Sequence, residues 1–167
     1  MEAKVGKFFE SVTSLFTGSD QLPWCDADIV AGCEREVAEA EKGSSDRLRS
    51  ECIMRLSWAL VHSRRLEDVQ RGIAMLEASL ATTTSSPKLR ENLYLLAVGY
   101  YRSGDYSRSR ELVEESLEIE PGWRQAQFLK KAIEDRITKD GVIGIGIAVT
   151  AVGLIAGGIA AALARKN

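Results

Sequence analysis

Between Gly141 and Ala164 the chain carries no charged side chain. A helix over that run extends about 36 Å, and the hydrocarbon core of a bilayer is about 30 Å thick. The alternative is a buried core helix. A core helix of that length needs apolar cover on all sides, and a chain of 167 residues cannot supply it. Lys139 and Asp140 precede the run; Arg165, Lys166 and Asn167 follow it. The pattern predicts one C-terminal transmembrane helix, inserted after synthesis ends. The body of the chain is expected in the cytosol, with a basic stub, 165–167, across the membrane. The stub is short and basic, and the span is rich in Gly and Ala. By analogy such anchors reach the mitochondrial outer membrane and peroxisomes more often than the endoplasmic reticulum. Lys139, Arg165 and Lys166 are the candidate targeting residues. Within the span, Gly153-x-x-x-Gly157 matches the close-packing motif of paired membrane helices and makes a homo-oligomer a candidate. Gly144 and Gly146 resemble the start of a dinucleotide fingerprint, but no strand precedes them and no acid follows, so that reading is discarded.

The span also changes how the composition reads. Residues 1–140 hold all 24 acids and 20 of the 22 bases, a formal charge of −4. An acidic body argues against nucleic acid as a partner. The three cysteines, Cys25, Cys33 and Cys52, are odd in number and lack C-x-x-C spacing. No continuous apolar run over residues 1–20 suggests a secretory signal. Reduced thiols facing the cytosol follow.

Upstream of residue 141 the apolar period is helical throughout. Val5, Phe8, Phe9, Val12, Leu15 and Phe16 share one face of an N-terminal amphipathic arm. Leu22-Pro23-Trp24 reads as a linker, so residues 1–25 form an arm and linker before a cytosolic domain over 26–138. Helices are expected at about 26–42, from a Ser45 cap through Leu60, at about 68–80, from Pro87 to about 102, at 106–119, and from Pro121 toward the membrane, with Ala126, Leu129, Ile133 and Ile137 on one face. Gly43 and Gly104 serve as stops.

These helices pair, and the pairs repeat. A shift of 37 residues puts Leu56 on Leu93, Leu60 on Ala97, Gly72 on Ser109, Leu76 on Val113 and Ser79 on Ser116. The second copy, from Leu93 through Pro121, has tetratricopeptide spacing; small residues at Ala97, Ser109 and Ser116 let its two helices approach closely. Two repeats cannot bury their outer faces alone, so the flanking helices are expected as caps. The fold class is therefore all-α: a tetratricopeptide-like bundle or short superhelix, followed by a transmembrane helix.

No set of residues for catalysis emerges. His62 stands on a helix without a partner motif, and there is no P-loop, H-E-x-x-H or nucleophile elbow. Neither a metal nor a cofactor is expected, and the chain is read as a non-enzyme. The inner helices of the pairs supply a groove instead. Its candidate residues are Ser57, Val61 and Arg64 in the first pair, and Glu91, Tyr94, Val98, Tyr101 and Arg102 in the second. Tyr and Arg are the types most often found as hot spots. Repeats that dock chaperone tails use Lys and Asn to clamp a terminal carboxylate. Ser57, Val61, Glu91, Leu95 and Val98 occupy the equivalent positions here, so that clamp is missing.

Several segments, in order, resemble the mitochondrial fission 1 family in its plant form. They are Ser57-Trp58-Ala59-Leu60-Val61 with Ser63, Gly72 through Glu77, Tyr94 through Arg102, Glu120-Pro121, and Lys139-Asp140-Gly141 with the Gly-rich span and its basic end. The resemblance covers about residues 26–167. It implies an adaptor on mitochondrial and peroxisomal membranes that helps bring division proteins, including a dynamin-related GTPase, to the organelle surface. It also implies that an N-terminal arm can lie across the groove. A tail-anchored import receptor is the competing expectation.

Overall fold

The computed structural model describes residues 22–140, and those residues are helical apart from short connections. The helices are α1 Ala27–Glu41, α2 Asp46–Val61, α3 Leu66–Leu80, α4 Ser86–Ser103 and α5 Tyr106–Ile119. A sixth, α6, covers 124–140. The chain divides into two compact units, 1–130 and 131–167. The predicted arm over 1–16 and the predicted span over 141–164 lie outside the described residues. Among the described residues no helix is long and apolar enough to cross a membrane.

Local chemistry explains the boundaries. The Ser45 side chain accepts from the Leu48 amide at 3.3 Å and Asp105 accepts from the Arg108 amide at 3.1 Å, so α2 and α5 each start on a capped turn. Gly104 ends α4 with φ +88°, a left-handed conformation that costs a glycine nothing. α3 begins at Leu66, two residues before the expected start, because Arg65 already has the extended backbone of a cap. The expected start of the sixth helix at Pro121 is corrected. Pro121 and Gly122 form a turn, with the Trp123 amide donating to Glu120 O at 3.2 Å and Gln127 Nε2 to Pro121 O at 2.6 Å.

Consecutive helices among α1–α5 pack against each other, and α2 also packs against α4. Short loops make the consecutive neighbours antiparallel. The extra contact makes α2 and α4 the shared inner helices of two stacked hairpins, α2–α3 and α4–α5. The 37-residue repeat is visible in burial: Leu56 and Leu93, Leu60 and Ala97, Leu76 and Val113 are all buried as pairs. Small residues set the spacing. Ser109 Oγ donates to Ala97 O at 2.6 Å across the α4–α5 contact. At Gly72 an added Cβ would meet Val61 Cγ1 at 2.8 Å and Leu60 Cβ at 2.9 Å. At Gly99 it would meet Ile73 Cγ1 at 2.7 Å and Val61 Cγ1 at 3.2 Å.

α1 covers the open side of the first hairpin. Val30, Cys33, Leu56, Ala59 and Leu60 form one buried cluster with Cys25, which precedes the helix. Ion pairs frame that contact: Arg55 with Glu36 at 3.2 Å and Arg71 with Glu34 at 2.6 Å. All three cysteines are free and buried. Burial pushes the Cys25 and Cys33 thiols up to about 12, and raises Cys52 as well.

Candidate partner-binding face

Ser57 and Val61 sit on α2, and Glu91, Tyr94, Val98, Tyr101 and Arg102 on α4, at helical spacings of three, four, seven and eight. Arg64, expected on the same inner helix, is corrected: α2 ends at Val61, and Arg64 lies in the bend that leads into α3. Packing then sorts them. Val61 and Val98 are fully buried. Val61 lies against the positions of Gly72 and Gly99, where three helices meet, so it serves the junction rather than an open surface. Ser57 is buried too, and its hydroxyl donates back to Ile53 O at 2.8 Å. Ser57 does line an open cavity of about 410 Å³ between α2 and the end of α3, with Ile53, Met54, Met75 and Ser79. Unbranched methionine adapts to varied apolar shapes, which suits such a wall. Glu91 is exposed and lies 3.7 Å from Arg90.

Tyr94 is buried. Its ring is 4.8 Å from that of Trp123, and Arg90 lies over Trp123 at 4.8 Å while pairing with Glu120. Among the described residues the Tyr94 hydroxyl has no hydrogen-bond partner, and burial pushes its pKa upward. Tyr101 is half-buried, with its ring 5.7 Å from Tyr106.

Arg102 is the most constrained member. Its Nη2 donates to Leu22 O at 3.2 Å and to Pro23 O at 2.9 Å. Its guanidinium stands 3.4 Å from the centre of the Trp24 ring. Arg64 lies over the same ring at 4.7 Å. Among the described residues Arg102 Nε has no partner, and burial draws the group's pKa down to about 10. The residues read as a linker are therefore a strap. It is tied to α4 through Arg102 and to the end of α2 through the Cys25 amide, which donates to His62 O at 2.8 Å. Trp24, still 41% exposed, is the residue at this end of the candidate face that helical periodicity does not reveal. A tryptophan between Pro23 and Cys25 in an otherwise polar junction was the available signal.

His62 closes the end of α2. Its ring stacks on Trp58 at 4.0 Å and its Nδ1 lies 2.7 Å from Trp58 O. Full burial holds it neutral, with a pKa lowered to about 3. Its surroundings are those of a packed residue and offer no nucleophile or metal partner; among the described residues no cluster of His, Cys, Asp or Glu could hold a metal ion. Lys139 is exposed near the end of α6. Arg165, Lys166, Gly153 and Gly157 lie outside the described residues.

The arrangement has the chemistry of a binding face: the inner helices carry tyrosine and arginine, and two buried donors at one end lack partners among the described residues. Comparison with known proteins agrees with the two-hairpin organisation. Residues 51–83 match the Fis1 N-terminal tetratricopeptide repeat and residues 90–142 match the Fis1 C-terminal tetratricopeptide repeat. Mitochondrial fission 1 protein A of Arabidopsis thaliana is 66% identical over the whole of both chains. Mitochondrial fission 1 protein B of the same plant is 62% identical over 99% of this chain and all of its own. Among solved structures, yeast Fis1 in complex with an Mdv1 fragment containing N-terminal extension and coiled-coil domains shares the fold. Its TM-score is 0.60 at 23% identity, covering 71% of this chain and 89% of that one.

Proposed function

The chain belongs to the mitochondrial fission 1 protein family, standing with its plant members, and from that we propose that it is a membrane-anchored adaptor in organelle fission. The observation that carries this reading is identity of 66% to a mitochondrial fission 1 protein along the full chain, so repeats and tail both take part. The inner face of α2 and α4 receives a segment of a division protein, with Tyr101, Arg102 and Arg64 as its directed contacts and the Met-lined cavity beside Ser57 as an apolar pocket. Residues 141–164 hold the domain on the mitochondrial outer membrane, and on peroxisomes, as a single-pass anchor. Through its bound partners the adaptor helps bring a dynamin-related GTPase to the membrane. The arm over 1–16 competes for the same face. The yeast relative's capture of an Mdv1 fragment supports a division adaptor as the direct partner. The role needs no chemistry of bond making or breaking.

The test is organelle shape. Cells lacking the protein should hold fewer, longer mitochondria and peroxisomes. The full chain should restore them, and Tyr101→Ala should restore them poorly while reaching the membrane at normal abundance. Normal organelle shape with accumulated, unimported precursor proteins would overturn the reading and favour an import receptor.

A further inference from the structure

Carboxylates are abundant in this chain, and its arginines use them. Arg47, Arg49, Arg55, Arg71, Arg90 and Arg110 each hold one at 4.0 Å or less. No ion pair among the described residues involves Arg64 or Arg102. Both guanidiniums instead rest on one ring, that of Trp24, and repel each other there. Arg102 is the more buried, and a buried cation without an anion is costly. The carbonyls of Leu22 and Pro23 occupy only its Nη2, leaving Nε without a partner. Tyr94 lies two turns earlier on the same face of α4, near enough for the Arg102 charge to act on its unpartnered hydroxyl. The unpartnered donors at this end of the face therefore include a buried N–H and a buried O–H, beside two positive charges.

We propose that Arg64, Arg102 and the Tyr94 hydroxyl form an acidic-residue subsite over Trp24, where an aspartate or glutamate side chain of a partner peptide docks. The proposal rests on the reading that α2 and α4 receive a partner segment, and it names the chemistry of that segment. A carboxylate is planar and accepts two parallel N–H bonds, which is what a guanidinium edge offers. The Trp24 ring already holds both guanidiniums close to its face, which reduces the side-chain freedom lost on binding. Arg102 stays charged at neutral pH despite its burial. An incoming carboxylate supplies an anion that the described residues do not provide.

The experiment uses the full chain in detergent micelles and three probes: fluorescent octaglutamate and octaglutamine, both acetylated and amidated, and inorganic phosphate. Octaglutamate should bind at least about tenfold more tightly than octaglutamine, since one charge-assisted contact accounts for about that factor. Arg64→Gln should remove several-fold of the preference and Arg102→Gln nearly all of it. Arg64 is exposed, so its variant tests the idea even if Arg102→Gln unfolds. The proposal is overturned if the two peptides bind alike, if neither binds, or if Arg64→Gln leaves the preference intact. It is also overturned if phosphate displaces octaglutamate far better than chloride at equal ionic strength, because the site would then serve a free anion. Equal peptide binding would leave the groove reading standing. An acidic preference in a chain that fails the organelle test would do the reverse.

Discussion

Gly72→Ala and Gly99→Ala are chemically the same change with different expected results. Each replaces a helix-interior glycine, and helix propensity alone stabilises by about 1 kcal/mol. Opposing this is the space that the new methyl must enter. At Gly72 it lands 2.9 Å from Leu60 Cβ and 3.1 Å from the Val61 amide nitrogen. Neither atom can rotate away, because both are fixed to the α2 backbone. Ordinary carbon contacts are about 3.5–4.0 Å, so α2 and α3 must separate by roughly half an ångström or more. Overpacking of that kind costs about 1–3 kcal/mol. Net destabilisation of Gly72→Ala is therefore about 0–2 kcal/mol. At Gly99 the close atoms are Ile73 Cγ1 and Cδ1 and Val61 Cγ1, all on side chains rather than the backbone. Gly99→Ala should fall within about 1 kcal/mol of wild type. Urea unfolding of residues 1–140, followed by circular dichroism, measures both midpoints. Gly122→Ala, with nothing within 4 Å of the new methyl, is the control. If Gly72→Ala raises the midpoint, the α2–α3 crossing is looser than described and the reasoning fails.

Three other outcomes follow from the same geometry and from the sequence. Ala97→Leu forces three heavy atoms into a fully buried α4–α5 contact and should lower stability by about 1–3 kcal/mol in the same assay; an unshifted midpoint would remove Ala97 from the crossing. His62 has a folded pKa near 3, below its unfolded value of about 6.5, so the unfolded chain binds the extra proton. Stability should be fully present above pH 6.5 and fall by up to about 1.4 kcal/mol per unit as the pH drops toward 3. His62→Phe should flatten that slope, and an equal slope in the variant would assign it to other groups. A reporter joined to residues 138–167 should reach mitochondria or peroxisomes. Replacing Arg165 and Lys166 with Ser should divert part of it to the endoplasmic reticulum, and a diffuse wild-type reporter would refute the anchor.

Most of the helical framework was legible because its signals are local. Ser45, Gly104 and Asp105 announce their boundaries through cap chemistry, and α5 runs over Tyr106–Ile119 as its periodicity requires. Pro121 misled because proline suits both a first helical turn and a tight turn; the glycine after it decides. The face was only partly legible. Helical spacing groups Val98 with Arg102 along α4, but it also groups Val61 with Arg64, which lies beyond the end of α2. It cannot tell which of them is swallowed where helices meet. That depends on Gly72 and Gly99, whose missing side chains admit Val61. Trp24 was least legible, since its partner Arg102 is distant in the chain and no period connects them.

The three thiols make the fold a clock for its own opening. With pKa values raised and side chains buried, they present almost no thiolate to water while the helices stay packed. Cys25 sits on the strap, Cys33 on α1 and Cys52 on α2. Each therefore times a different event: release of the strap, lifting of α1, or parting of α2 from its neighbours. Under slow alkylation, the order in which the three are labelled ranks these openings by free energy. A strap that must release to admit a partner would be read first, at Cys25, ahead of any loss of the helices themselves.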